Sequence, residues 1–150
     1  LAHVGAAPDH HKALYDRTMH HYVTTPSDPA CLYPGVPEAL EALRSAGHRL
    51  TLCTNKPFAA TETAIRDTGL GGDSLPTRKP DPAMLMAALG GAAQALYVGD
   101  SETDCETAQS AGVPFVLFTE GYRNAPPEAL PHVALFSDWT RAPDLFATLW

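Results

Sequence analysis

Apolar positions alternate between helical and strand-like spacing from about residue 33 to the end of the chain. Val36, Leu40 and Leu43 recur at helical spacing, whereas 48–54 and 95–98 are short apolar runs typical of buried strands. The same patterns predict helices over 58–68, from Pro82, over 102–111 and over 142–150, and strands over 114–118 and 133–136. This α-β-α-β order predicts a doubly wound, Rossmann-like α/β fold, a parallel sheet covered by helices on both faces.

Residues 1–30 have a different pattern, without a strand-like run. Pro8-Asp9 is a plausible helix start, apolar residues then recur at roughly helical spacing, and the segment ends in the linker-like stretch 24–29. We therefore expect two parts, a helical segment over 1–30 and an α/β core over 31–150.

One junction interrupts the α-β alternation. The helix over 58–68 is expected to end at Gly69, and a glycine-rich loop starts at Gly71, although a doubly wound fold places a strand after such a helix. Two helices joined directly by a glycine loop would also fit this order, but we expect that residues are missing between Leu70 and Gly71.

Composition narrows the possible partners and compartment. The net charge of −7 disfavours a nucleic-acid surface, and no apolar stretch approaches the ~20 residues of a membrane span. The cysteines, Cys31, Cys53 and Cys105, are odd in number and widely spaced, which favours neither a disulfide framework nor a zinc site. A soluble protein of the reducing cytoplasm is expected, with Cys53 buried as a small apolar residue.

Five polar residues form the candidate site. Thr54 and Asp100 follow predicted strands, and Lys79 lies in a loop before a helix, so all can meet at the carboxyl ends of a parallel sheet. Asp100 is a candidate Mg²⁺ ligand, and Asp104 could hold a metal-bound water or fix the lysine. Thr54 and Asn55 could donate to phosphate oxygens beside the positive charge of Lys79. The pattern predicts a site for a small phosphorylated ligand.

Each of these residues also has a purely structural interpretation. Asp100 could be a helix N-cap, Asp104 a solvated carboxylate in a first helical turn, and Lys79 a surface lysine. Thr54 could be an ordinary hydroxyl at a strand end. The order of the residues and their shared position after strands favour the functional interpretation.

Two histidine pairs, His10-His11 and His20-His21, could also bind a metal. Adjacent residues on a helix point in different directions, so the pattern favours solvated histidines. Trp139 and Trp150 are expected to pack against the last helix and the edge strand.

The segments 52–57, 71–82 and 95–101 together resemble the second, third and fourth motifs of the haloacid dehalogenase superfamily of phosphatases. The resemblance extends from Tyr33 to the end of the chain and is closest to the phosphoglycolate phosphatase subfamily. Residues 1–30 resemble the end of that subfamily's helical cap.

The resemblance implies an Mg²⁺-dependent phosphomonoesterase acting on a small metabolite such as 2-phosphoglycolate. It implies that Thr54 binds the phosphoryl oxygens and that Lys79 steadies both the nucleophile and the phosphate. It also implies that Asp100 ligates the Mg²⁺, with support from Asp104. In the family an aspartate attacks phosphorus, and a second aspartate two residues later acts as acid and base.

This sequence contains no two aspartates separated by one residue. We therefore expect the parent protein to be an enzyme whose nucleophile lies on a strand outside this chain, and the chain by itself to be inert. Two alternatives remain, a hexose-phosphate mutase of the same fold and a non-catalytic module that binds phosphate or a partner.

Overall fold

The described helices and strands form a parallel α/β fold, as the apolar pattern predicts. The computed structural model describes residues 10–24, 32–56, 69–70 and 74–149. The helices are α1 (His11–Thr24), α2 (Val36–Ser45), α3 (Ala83–Leu89), α4 (Glu102–Ala111) and α5 (Ala142–Ala147). The strands are β1 (Leu52–Cys53), β2 (Gly69–Leu70), β3 (Tyr97–Gly99), β4 (Phe115–Phe118) and β5 (Ala134–Phe136). Short 3₁₀ turns lie at Pro127–Ala129 and Trp139–Arg141.

All strand pairs in the described ranges are parallel. β4 lies between β3 and β5 in one sheet, and β1 pairs with β2 in a second. No ladder joins β1 to β3 within these ranges, so each of these two strands has a single strand neighbour there. The parallel α/β fold is confirmed.

The side chains of β4 alternate between two apolar cores. Phe115 and Leu117 pack with α3 and α4, whereas Val116 and Phe118 pack with α2, β5 and α5. Successive side chains of a strand point to opposite faces, so one fully buried strand serves both cores. Helices therefore cover both faces of the sheet, as predicted.

Helix ends agree closely with the sequence pattern. α4 ends at Gly112, whose φ of 66° is the left-handed conformation that glycine adopts readily. Just before α3, Asp81 Oδ1 accepts a hydrogen bond from the Ala83 N–H at 2.8 Å. Pro82 is the N-cap residue, so α3 begins at Ala83, one residue later than the pattern predicts.

The predicted end of a helix at Gly69 is wrong. Gly69 and Leu70 form β2, which pairs in register with Leu52 and Cys53 of β1. The strand that the fold requires is therefore present before the junction. The strand predicted over 48–54 is shorter in the structure and comprises only Leu52–Cys53. Its partner β2 is also only two residues long, so only two residues of each strand pair.

Some predictions lie outside the described residues: the helix over 58–68, the start at Pro8, the linker over 25–29, Gly71 at the junction, Cys31 and Trp150. Trp139 packs against the edge strand as predicted, with its ring centroid 5.1 Å from that of Phe136. Cys53 is a buried free thiol, which confirms its apolar role. No helix in the described ranges is both long and apolar enough to span a bilayer.

Candidate active site

A buried ion pair is the centre of the site. Lys79 Nζ lies 2.6 Å from Asp104 Oδ1, and only 11% and 8% of the two side chains are exposed. The interpretations of Lys79 as a surface lysine and of Asp104 as a solvated carboxylate are therefore wrong. Two opposite charges buried together require close contact and further hydrogen bonds to offset the loss of hydration.

Asp104 receives hydrogen bonds at both carboxylate oxygens. Oδ1 accepts from Lys79 Nζ and from Tyr97 Oη at 2.9 Å, and Oδ2 accepts from Ser101 Oγ at 2.7 Å and the Asp100 N–H at 3.2 Å. These donors occupy the roughly four acceptor sites of a carboxylate. Burial favours a higher pKa for Asp104, but the charge and hydrogen bond of Lys79 outweigh it and lower the pKa. Asp104 is therefore an ionised, fully engaged carboxylate.

Ser101, and not Asp100, caps α4. Ser101 Oγ accepts from the Asp104 N–H at 3.3 Å, which makes Ser101 the N-cap, and it donates to the same residue's Oδ2. Because the Ser101 hydroxyl already accepts a hydrogen bond from an N–H group in the first turn of α4, the N-cap interpretation of Asp100 is wrong. Asp100 directly follows β3, where its carboxylate is available for another role.

Asp100 carries a half-buried negative charge beside a second carboxylate. Its Oδ2 accepts from the Tyr122 N–H at 3.3 Å. Burial raises the pKa of Asp100 and the charge of Asp104 raises it further, although the bond from Tyr122 opposes them. The nearby lysine is paired with Asp104, so the site carries an excess of negative charge that a cation would offset.

Asn55 fixes the backbone of Lys79. Its Oδ1 accepts from the Lys79 N–H at 2.9 Å, and its Nδ2 donates to the Lys79 carbonyl at 3.0 Å. This pair of bonds connects the end of β1 to the loop before α3. The side chain predicted to contact phosphate thus holds the lysine loop in place.

Thr54 directly follows β1, and its Oγ1 accepts a hydrogen bond from the Lys56 N–H at 3.1 Å. Because the hydroxyl oxygen accepts this bond, its own proton can donate to an anion at the end of the strand. Thr54 and Asp100 both lie at carboxyl ends of parallel strands, where open α/β sheets bind ligands.

The loop after β4 closes around Asp100 and the start of α4. Glu102 accepts from the N–H groups of Asn124 at 2.7 Å and Ala125 at 2.6 Å. Gly121 lies so close to Asp100 that an added Cβ would be 2.2 Å from its carboxylate. Beside this glycine the loop lines a cavity of about 480 Å³. The position of Asp100 therefore depends on this loop.

We predict that Gly121→Ala displaces the Asp100 carboxylate, because a methyl group at 2.2 Å has no room. Any activity that depends on Asp100 should fall at least tenfold, because displacement weakens the electrostatic contact that the carboxylate makes. The control is Gly91→Ala, which has a φ of 78° but nothing within 4 Å. It should cost stability by backbone strain of about 1 kcal/mol and leave turnover unchanged. Equal activity losses in both variants would contradict the role of Gly121.

A divalent cation is compatible with the donors present. Within the described part of the chain, no three His, Cys, Asp or Glu side chains form a group that could hold a metal ion. Mg²⁺ commonly uses only one or two carboxylates and completes its shell with water and substrate phosphate. Asp100 fits such a role. The carboxylate oxygens of Asp104 already accept hydrogen bonds from Lys79, Tyr97, Ser101 and a backbone N–H group.

Sequence reasoning missed Tyr97. Its hydroxyl donates to Asp104 and accepts from Lys79 Nζ at 3.2 Å, so it belongs to the same cluster. The available signal was a tyrosine within the buried strand that leads to Asp100. A phenolic hydroxyl needs a hydrogen-bond partner when buried, and the nearest polar groups are those of the site.

Carboxylates and a buried lysine lie at the strand ends, where open α/β sheets bind their ligands. Comparison with known proteins identifies the family of this chain. Residues 2–112 match the haloacid dehalogenase-like hydrolases. The chain is 47% identical to phosphoglycolate phosphatase of Cereibacter sphaeroides over 161 positions, which cover 99% of this chain and 74% of the relative.

Two further relatives agree. The phosphoglycolate phosphatase of Rhodobacter capsulatus is 49% identical over 124 residues, 76% of this chain and 57% of that protein. A crystal structure of a predicted phosphoglycolate phosphatase from Haemophilus somnus superposes with a TM-score of 0.76 at 32% identity, covering 94% of this chain and 68% of that one. The chain belongs to the haloacid dehalogenase-like hydrolase family, and its enzyme class is phosphatase.

Proposed function

We propose that this chain forms most of an Mg²⁺-dependent phosphatase that hydrolyses 2-phosphoglycolate to glycolate and inorganic phosphate. The observation that carries the proposal is the buried Lys79–Asp104 pair beside the raised-pKa carboxylate of Asp100 at the strand ends. The substrate is inferred from relatives named phosphoglycolate phosphatase at 47% and 49% identity.

Each site residue has a distinct task in this proposal. Lys79 and Thr54 bind oxygens of the phosphoryl group, one through its charge and the other through its hydroxyl proton. Asp100 holds the Mg²⁺, which when bound offsets phosphate charge. Asp104 acts through Lys79, because its acceptor sites are already occupied. Asn55 holds the lysine loop to the end of β1.

The nucleophile is proposed to be an aspartate on a strand that is not part of this sequence. A parallel strand between β1 and β3 would pair with both and would end beside Thr54 and Asp100, since no ladder joins β1 to β3 in the described ranges. Among the site residues, Cys53 cannot replace it, because burial raises the pKa of its thiol and keeps it protonated. The alignment with the Cereibacter relative spans 161 positions, so that protein has residues without a counterpart in these 150.

The chemistry then has two balanced steps. A carboxylate oxygen of the aspartate forms a bond to phosphorus as the ester P–O bond breaks, and a second aspartate protonates the leaving glycolate oxygen. Water then attacks phosphorus of the aspartyl-phosphate, returns a proton to that second aspartate and releases inorganic phosphate. Water is the only co-reactant.

A phosphate-release assay tests the proposal. The complete gene product, with Mg²⁺, should release phosphate from 2-phosphoglycolate at least a hundredfold faster than from glucose 1-phosphate. The 150-residue chain should release none. Conversion of glucose 1-phosphate to its 6-phosphate without net release would favour the mutase. Phosphate binding without turnover by the complete product would favour a binding module, and turnover by the chain alone would refute the external nucleophile.

The proposal also covers partners and location. The partner is a small phosphorylated metabolite, and neither nucleic acid nor membrane is required. We place the enzyme in the cytoplasm, a reducing compartment that suits the buried free thiols of Cys53 and Cys105.

A further inference from the structure

Tyr97 closes a triangle with the ion pair at the centre of the site. Its hydroxyl donates to Asp104 Oδ1 at 2.9 Å and accepts from Lys79 Nζ at 3.2 Å, while Lys79 Nζ contacts Asp104 Oδ1 directly. Tyr97 itself is 9% exposed, and its ring belongs to the core cluster that includes Phe115. The ring is therefore fixed by packing, and so is the position of its hydroxyl.

We propose that Tyr97 is a positioning residue that orients the ammonium group of Lys79 toward the phosphoryl group. The inference rests on the proposed function of Lys79. An ammonium group has three donors and no acceptor. Asp104 and Tyr97 receive two of them. These two contacts restrict the rotation of the ammonium group, and in this proposal the remaining N–H points to the ligand at the strand ends.

The tyrosine is suited to this task because it stays neutral. Burial and the charge of Asp104 raise the pKa of Tyr97 far above its usual range, so the hydroxyl keeps its proton at any physiological pH. A neutral hydroxyl can accept from Lys79 and donate to Asp104 at once, without changing the charge of the pair. The Cys53 carbonyl oxygen, 3.4 Å away on β1, gives the proton a second acceptor nearby.

The structure also separates positioning from simple core packing. A phenylalanine at position 97 would preserve the ring and remove only the oxygen that Lys79 and Asp104 share. Lys79 would keep its contact with Asp104 but would lose its hydrogen bond to the Tyr97 hydroxyl, which restricts the rotation of the ammonium group. Precise orientation of a group that binds the reacting atoms can account for a hundredfold in rate.

Tyr97→Phe is tested first by the side-chain ammonium signals in a ¹H–¹⁵N spectrum. Lysines occur only at positions 12, 56 and 79, so Lys79 is assigned by the signal that Lys79→Gln removes. The unaltered protein should show a sharp, slowly exchanging Lys79 signal with a cross-peak to the Tyr97 hydroxyl proton. Tyr97→Phe should broaden that signal at least threefold. A missing cross-peak in the unaltered protein would overturn the proposal without any variant.

The matched control is Thr107→Val. Thr107 is fully buried in the same helix as Asp104, and its hydroxyl donates to the Thr103 carbonyl at 2.6 Å and not to the Lys79–Asp104 pair. This variant loses one buried hydroxyl bond and should keep the Lys79 signal unchanged. An unchanged signal in Tyr97→Phe, or equal broadening in both variants, would overturn the proposal.

Turnover of the complete enzyme supplies the second readout. Tyr97→Phe should lower kcat about ten- to a hundredfold with little change in KM, because the lysine is still present but less well directed. Thr107→Val should leave kcat within twofold, and an equal loss in both variants would contradict positioning. Absence of turnover in the unaltered complete enzyme would refute the proposed function, while the ammonium spectrum would still decide the role of Tyr97.

Discussion

Replacing Lys79 with methionine is expected to lower the melting temperature by about 10 °C and to abolish turnover. The lysine neutralises the buried carboxylate of Asp104 at 2.6 Å, and both side chains are almost fully shielded from water. Removing one member of a buried ion pair leaves an uncompensated charge, which costs about 3–5 kcal/mol. For a domain of this size each kcal/mol corresponds to about 2–4 °C. Differential scanning calorimetry at pH 7 measures the shift.

Two control variants separate this effect from loss of a lysine in general. Lys12→Met removes an exposed lysine ion pair, to Asp16 on α1, where 86% and 56% of the side chains are exposed, and should leave the melting temperature nearly unchanged. The double variant Lys79→Met, Asp104→Asn also removes the unpaired buried charge of the Asp104 carboxylate. It should therefore recover part of the stability but no activity. A melting temperature unaffected by Lys79→Met would contradict the buried pair.

The position of the site could be predicted from the sequence because it depends on local features. Thr54 and Asp100 directly follow apolar runs that become β1 and β3, and parallel strands align their carboxyl ends. The order of helices and strands likewise follows from apolar spacing. The Gly69 error has a physical cause, since glycine is common after helices and a two-residue strand has too few positions to show alternation.

Burial and partner choice could not be predicted in the same way. Nothing near Lys79 in the sequence shows that a loop lysine is enclosed, because Asp104 lies 25 positions away. The task of Asn55 depends on a loop 24 positions further along the chain. Tyr97 lies in an apolar run of the sequence, and its ring is part of the core. Only its hydroxyl belongs to the site, so the apolar pattern does not distinguish it from a core residue. These are tertiary contacts, which local pattern does not encode.

Asp100→Asn is expected to reduce turnover of the complete enzyme at least tenfold and, without divalent cations, to raise the melting temperature at pH 7. The pKa of Asp100 is raised in the folded state. A raised carboxyl pKa means that the folded protein binds the proton more tightly than the unfolded chain. Its stabilising contribution is complete below the unfolded pKa and is lost as the pH rises through the folded value. At neutral pH the ionised group therefore destabilises the fold, and asparagine removes that cost.

The gain should be small, about 1–2 °C, because water screens the exposed part of Asp100. It should shrink as the pH falls through the raised pKa of Asp100, because the carboxyl group of the unaltered protein then binds a proton. Added Mg²⁺ should stabilise the unaltered protein and not the variant, since a ligand that binds only the folded state raises its stability.

Asp138 serves as the control because its pKa shift has the opposite sign: hydrogen bonds from Thr140 lower the pKa of its exposed carboxyl group. Asp138→Asn should therefore give no gain at pH 7 and should keep the Mg²⁺ response. A loss of stability in Asp100→Asn at pH 7 without Mg²⁺ would show that the charge of Asp100 is not unfavourable. Stabilisation of this variant by Mg²⁺ would show that Asp100 does not hold the metal.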